Sequence, residues 1–120
     1  MRKMGKSIAL EKAIQFALRI VKLYKYLTEE KKEFVLSKQM LVSGTFIAKH
    51  VKAATVAESR GNFGSEMFKG MQMASDCELW LFLLHEGGWL EDKYYESINA
   101  DCVEMIKLTA SISNTSREND

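Results

Sequence analysis

Two histidines, two cysteines and a set of lysines are the residues of this 120-residue chain whose types could do chemistry. A di-iron helical bundle needs paired Glu-x-x-His motifs. His50 is preceded at that spacing by Ile47, and His85 by Phe82. Glu78 and His85 stand two turns apart on one helical face, where they could share a polar cluster. A metal site is one reading of that pair. The plainer one is a buried glutamate hydrogen-bonded to a neighbouring helix. Cys77 and Cys102 form no C-x-x-C pair; both fall on apolar faces and read as small core residues. Gly61-Asn62-Phe63-Gly64 is too short for a phosphate-binding loop and follows no strand. No spacing suggests a Ser/His/Asp constellation. The expectation is a non-enzymatic protein with no metal and no cofactor.

The lysines carry the one lead to a ligand class. Residues 1–38 hold ten Lys/Arg against four Glu, and residues 39–120 hold seven against twelve acidic residues. The near-neutral total of +1 is therefore a cancellation of a basic first third by an acidic remainder. Lys12, Arg19 and Lys22 share one helical face, Lys25 lies one turn further near its edge, and Lys31 and Lys32 follow the helix end. Such a stripe could run along the phosphates of RNA or DNA without reading bases. No base-reading or stacking module accompanies it in the sequence. The same division could instead provide complementary surfaces between subunits, or be a solvated helix face.

These side chains need scaffolding, and the composition says what kind. The chain has no proline, where average usage would give about six. Long helices joined by short links tolerate that absence best. Apolar residues recur at helical spacing from Lys6 to Leu27, through Leu10, Ala13, Ile14, Ala17, Ile20, Val21, Tyr24 and Leu27. A second stripe spans Glu33 to Glu58 through Leu36, Met40, Ser43, Ile47, Val51 and Ala54. Gly44 in its middle predicts either close approach of a neighbouring helix or a local kink. Ser59-Arg60-Gly61-Asn62 reads as a turn, with Asn62 the expected cap of a third helix. That helix is apolar nearly all round at Leu79-Trp80-Leu81-Phe82-Leu83-Leu84. A helix apolar on every side is buried on more than one, so Leu79, Trp80, Phe82 and Leu83 are expected in a subunit interface. Gly87-Gly88 ends it. A fourth helix, capped by Asp92, carries Tyr95, Ile98, Cys102, Met105, Ile106, Thr109 and Ile112.

The reading is all-α, an up-down antiparallel four-helix bundle in one domain spanning residues 1–120. Its core covers about residues 6–112 and a polar, frayed tail residues 113–120. The runner-up is a three-layer helical array in which the second helix breaks at Gly44. The longest strongly apolar run, Leu79 to Leu84, falls far short of the ~20 residues of a membrane span. Without a signal-peptide pattern or a disulfide framework, the expected location is cytoplasmic.

Several of these segments together resemble one family. Lys6-Ser7, Phe16-Ala17, Ile20-Val21 and Leu23-Tyr24-Lys25-Tyr26-Leu27 resemble the first helix of the 23S rRNA-intervening sequence proteins, also labelled S23 ribosomal proteins. Residues 31–39, KKEFVLSKQ, resemble the entry of that family's second helix, and Ser43-Gly44-Thr45 the start of its Ser-Gly-Thr-Ser-Ile signature. Glu78, Trp80-Leu81 and Leu83-Leu84-His85-Glu86 resemble its third-helix block. The resemblance implies a bacterial four-helix bundle that forms a ring-shaped homopentamer, encoded within insertions in ribosomal RNA genes. Val42 stands where the family usually has Arg, and Gln72 where it has Lys. Fold positions are therefore kept better than polar ones.

Overall fold

Four helices make up the computed structural model, which describes residues 7–118: α1 (Ile8–Glu29), α2 (Leu36–Thr55), α3 (Arg60–Glu86) and α4 (Asp92–Glu118). Consecutive helices are antiparallel neighbours, and α1 meets α4 least extensively. The longest helices have 27 residues, about 40 Å at 1.5 Å per residue, which accounts for the 46 Å long axis. No helix of the described residues is long and apolar enough to cross a membrane.

Local chemistry sets the helix ends. The Ser7 hydroxyl accepts from the Leu10 N–H at 3.2 Å and starts α1. Ser59, rather than Asn62, caps α3: its Oγ accepts from the Asn62 N–H at 3.0 Å. A side-chain oxygen reaches the N–H groups two and three residues ahead, so the earlier serine wins. Asp92 is the first residue of α4, and the Glu91 carbonyl accepts from the Tyr95 N–H. The Asp92 carboxylate turns back to His85 instead. Gly87 is right-handed and Gly88 takes φ +91°, so the second glycine supplies the left-handed residue that ends α3.

The second helix has no capping side chain at its boundary residue, Val35. Glu33, two residues earlier and 8% exposed, does that work. Its Oε2 accepts from the N–H groups of Leu36 at 3.0 Å and Val35 at 3.3 Å, and its Oε1 from Ser37 at 2.7 Å. The link bends sharply to bring Glu33 there, with Lys32 at φ 54°.

The core runs the length of the bundle. Ile20, Met40, Ile47, Leu81, Leu84, Ile98 and Met105 are essentially inaccessible, as are Cys77 and Cys102. Two expectations are corrected within α1. Phe16 and Leu23 are buried, whereas Val21 is 38% exposed. Because α1 must face both α2 and α4, its buried stripe lies between them and is rotated toward α4 relative to the sequence reading. The second helix passes unbroken through Gly44, which excludes the three-layer alternative. A Cβ there would lie 2.8 Å from Ile20 Cγ1, so Gly44 is where α1 and α2 approach. Of the expected tail 113–120, residues 113–118 are helical rather than frayed, and 119–120 lie outside the described residues. α4 continues to Glu118, and its buried Ser113 and Ser116 donate to the Gly64 and Arg60 carbonyls of α3.

Candidate nucleic-acid interface

The six basic residues singled out in the sequence divide into two groups. Lys12 and Arg19 face α4. Lys12 Nζ lies 2.8 Å from Glu104 Oε1, and Arg19 Nη1 lies 2.7 Å from Asp101 Oδ2. Arg19 also donates to Ser97 Oγ at 3.2 Å, and its guanidinium sits 5.6 Å from the centre of the Tyr94 ring. These pairs bridge a cleft of about 180 Å3 along the α1–α4 seam, floored by Phe16 and Met105. Partly exposed ion pairs each contribute at most about 1 kcal/mol. Both cations therefore already have carboxylate partners.

Lys22, Lys25, Lys31 and Lys32 form the second group. All four are exposed, and among the described residues none pairs with a carboxylate. They occupy the last two turns of α1 and the link that follows. Lys31 Nζ sits 5.9 Å from the centre of the Tyr26 ring. Glu29 and Glu30 are exposed among them, outside ion-pair reach. Glu33 is committed to α2, so among the described residues the four lysines face the exposed carboxylates of Glu29 and Glu30 and, across the neighbouring cleft, Glu91.

The residues expected in an interface lie on α3 as follows. Leu79 is 50%, Phe82 46% and Leu83 36% exposed, and Trp80 is half-buried. Leu81 and Leu84 of the same block point into the core. On α2, Val42 and Phe46, one turn apart, are also exposed. The sequence reading missed this pair, although two apolar residues four apart off the core stripe were a visible signal.

The remaining polar groups hold helices together. His50 Nδ1 lies 2.9 Å from Glu66 Oε2 across the α2–α3 seam. That bond, aided by Lys69, holds the Glu66 carboxyl below its usual range against the opposing effect of burial. His85 Nε2 lies 2.7 Å from Asp92 Oδ1, and the ring stacks on Tyr95 with centroids 4.2 Å apart. Burial, followed by the charges of Glu78 and Glu86, pushes the Tyr95 phenol up. Glu78 and His85 therefore contribute to one polar seam between α3 and α4. Cys102 donates to the Ala74 carbonyl at 3.3 Å, and its contact with Cys77, together with burial, pushes its thiol far up. Among the described residues no three His, Cys, Asp or Glu side chains converge as a metal site would require.

Comparison with known proteins now decides the family. The family model described as 23S rRNA-intervening sequence protein matches residues 5–111. The chain belongs to the 23S rRNA-intervening sequence protein family. A crystal structure from Bacteroides thetaiotaomicron, of a protein of unknown function in the S23 ribosomal protein family, is similar in sequence and shape. It is 42% identical, covers 88% of this chain and 98% of its own, and superposes with a TM-score of 0.86. No curated protein matches the chain. Within this family the described bundle thus has a solved counterpart in which no activity is assigned. Any functional reading has to come from the side chains.

Proposed function

We propose that this chain is a non-enzymatic, homo-oligomeric bundle of the cytoplasm that binds the phosphate backbone of RNA or DNA at its α1–α2 end. The observation that carries the reading is the cluster of Lys22, Lys25, Lys31 and Lys32, exposed and, among the described residues, not paired with a carboxylate. Four exposed ammonium groups suit sequence-independent phosphate contact. Lys12 and Arg19 would have to leave Glu104 and Asp101 to join them, so they act in holding α1 to α4.

A gel-shift series across salt concentrations tests this. Four phosphate contacts should weaken binding by about 50- to 150-fold between 50 and 200 mM salt. The quadruple variant Lys22→Gln, Lys25→Gln, Lys31→Gln, Lys32→Gln should lose most of the binding and most of the salt slope. Absence of binding at low salt overturns the reading.

The homo-oligomer part draws support from Leu79, Phe82 and Leu83, which expose apolar side chains at i, i+3 and i+4 on one face of α3. A pentamer is the assembly the family resemblance favours. Light scattering should give a mass several times the 13.7 kDa of one chain. Leu79→Asp with Leu83→Asp should reduce it toward a single chain. A monomeric parent protein would overturn this part. This apolar surface, together with the separate exposed pair Val42 and Phe46 on α2, favours one second reading: a protein-interaction scaffold with no nucleic-acid role. An oligomer that binds no nucleic acid at any salt concentration would select it.

A further inference from the structure

Beside Lys22 and Lys31, the fold closes a cleft of about 270 Å3 between the end of α1 and the corner joining α3 to α4. Its walls are aromatic: Tyr26 from α1, Trp89 from the corner and Tyr94 from α4. Leu23 and Leu90, both buried, form the apolar floor. Lys22 and Glu91 stand at the rim. From the sequence, no stacking module accompanied the basic stripe. The fold supplies one by bringing residues 89 and 94 to the side of residue 26.

The cleft is built rather than incidental. A Cβ on Gly87 would lie 2.4 Å from Trp89 Cζ3 and 2.7 Å from Cε3, so the indole presses against bare backbone. The Trp89 N–H also donates to the Leu84 carbonyl at 3.0 Å. One wall is thereby fixed in place. Tyr26 and Tyr94 are 42% and 38% exposed, each with one cation over its ring.

We infer that this cleft takes one unpaired nucleobase of a single-stranded RNA or DNA, with Lys22 and Lys31 holding the flanking phosphates. The inference rests on the phosphate-binding reading above and adds a location and a strand type to it. Bases stack on aromatic rings whatever their identity. A volume just below the roughly 300–1,000 Å3 of small-molecule sites admits one flat ring system, not a paired duplex. Charge decides against a caged organic cation, the other guest that aromatic walls suit. Arg19 and Lys31 already sit over Tyr94 and Tyr26, and Lys22 lines the rim. Glu91 is the one carboxylate lining the cleft. It repels phosphate on its side and can accept from the exocyclic amine of a base.

The chain has two tryptophans, so Trp80→Phe leaves Trp89 as the sole indole. In that background, at low salt, a short mixed-sequence RNA strand, the same sequence as DNA, and the corresponding duplex are each titrated. At least one single strand should quench Trp89 emission, and which one does so distinguishes RNA from DNA as the source. The duplex should quench little. Tyr26→Leu with Tyr94→Leu should weaken single-strand binding at least about fivefold. Circular dichroism verifies that this pair remains folded, and Trp89→Phe gives a second, milder variant expected to weaken binding in the same direction. Strand binding with unmoved Trp89 emission, and unchanged by both aromatic variants, overturns the cleft while leaving the lysine reading intact. Equal binding and quenching by the duplex also overturns it. Absence of any binding overturns both.

Discussion

A Gly44→Ala variant should be less stable than the parent by up to about 2 kcal/mol, although alanine is the better helix former. The propensity term favours alanine by about 1 kcal/mol. Packing opposes it. The new methyl would lie 2.8 Å from Ile20 Cγ1, 2.9 Å from Cγ2 and 3.2 Å from Cβ. Ile20 is fully buried and β-branched, so it has little rotamer freedom with which to retreat. Relief requires α1 and α2 to move apart, and overpacking of this kind costs about 1–3 kcal/mol. Thermal unfolding at fixed protein concentration should show a midpoint lowered by roughly 4 °C per kcal/mol.

A double-mutant cycle with Ile20→Ala isolates the cause. Alone, Ile20→Ala should cost about 2–5 kcal/mol through the cavity it opens. Combined with Gly44→Ala it should cost less than the two separate losses added together, because the alanine methyl fills space that the isoleucine vacated. Strict additivity would show that Gly44 matters for some reason other than its contact with Ile20.

Gly44 also marks how far the sequence could be read. A glycine amid small residues predicts either close approach or a kink, and only the position of Ile20, on another helix, decides between them. The helices themselves were legible because apolar periodicity and the Gly87-Gly88 stop are local signals. Ser113 and Ser116 misled because a polar side chain on a helix can spend its hydroxyl on a neighbouring helix's carbonyl. Arg60 and Gly64, which accept from them, lie 56 and 49 residues away along the chain. The same holds for the candidate interface. The basic stripe was visible, but the partners of Lys12 and Arg19 lie 92 and 82 residues further on. Helical spacing in α1 has no means of separating paired cations from free ones. Trp89 and Tyr94 are similarly remote from Tyr26, so the aromatic cleft has no signature in any single segment.

Glu33→Ala should produce the larger loss, about 2–3 kcal/mol at neutral pH, and one that depends on pH. Three N–H groups at the start of α2, those of Val35, Leu36 and Ser37, donate to the Glu33 carboxylate. A helix start has no intrahelical acceptors for these donors, and Val35 offers no side-chain oxygen in place of Glu33. The negative charge also lies favourably at the positive end of the helix dipole. Burial raises the affinity of the Glu33 carboxyl for its proton, but the hydrogen bonds from Ser37, Leu36 and Val35 outweigh it and hold the carboxyl below the usual 4.5. The sign follows from that lowering. A carboxylate more acidic in the folded than in the unfolded chain stabilises the fold fully above its unfolded value, and the contribution is lost as pH falls through the folded value. Glu66 is lowered as well, so total stability will fall in acid for both reasons. The difference between parent and Glu33→Ala isolates Glu33. Urea unfolding from about pH 7 to about pH 3 should show that difference shrinking as the carboxylate protonates. Glu33→Gln, which keeps the size but loses the charge and one acceptor oxygen, should fall between the two with a flatter pH dependence. A parent-minus-alanine difference that stays constant across this range would mean that the carboxylate is not what caps α2.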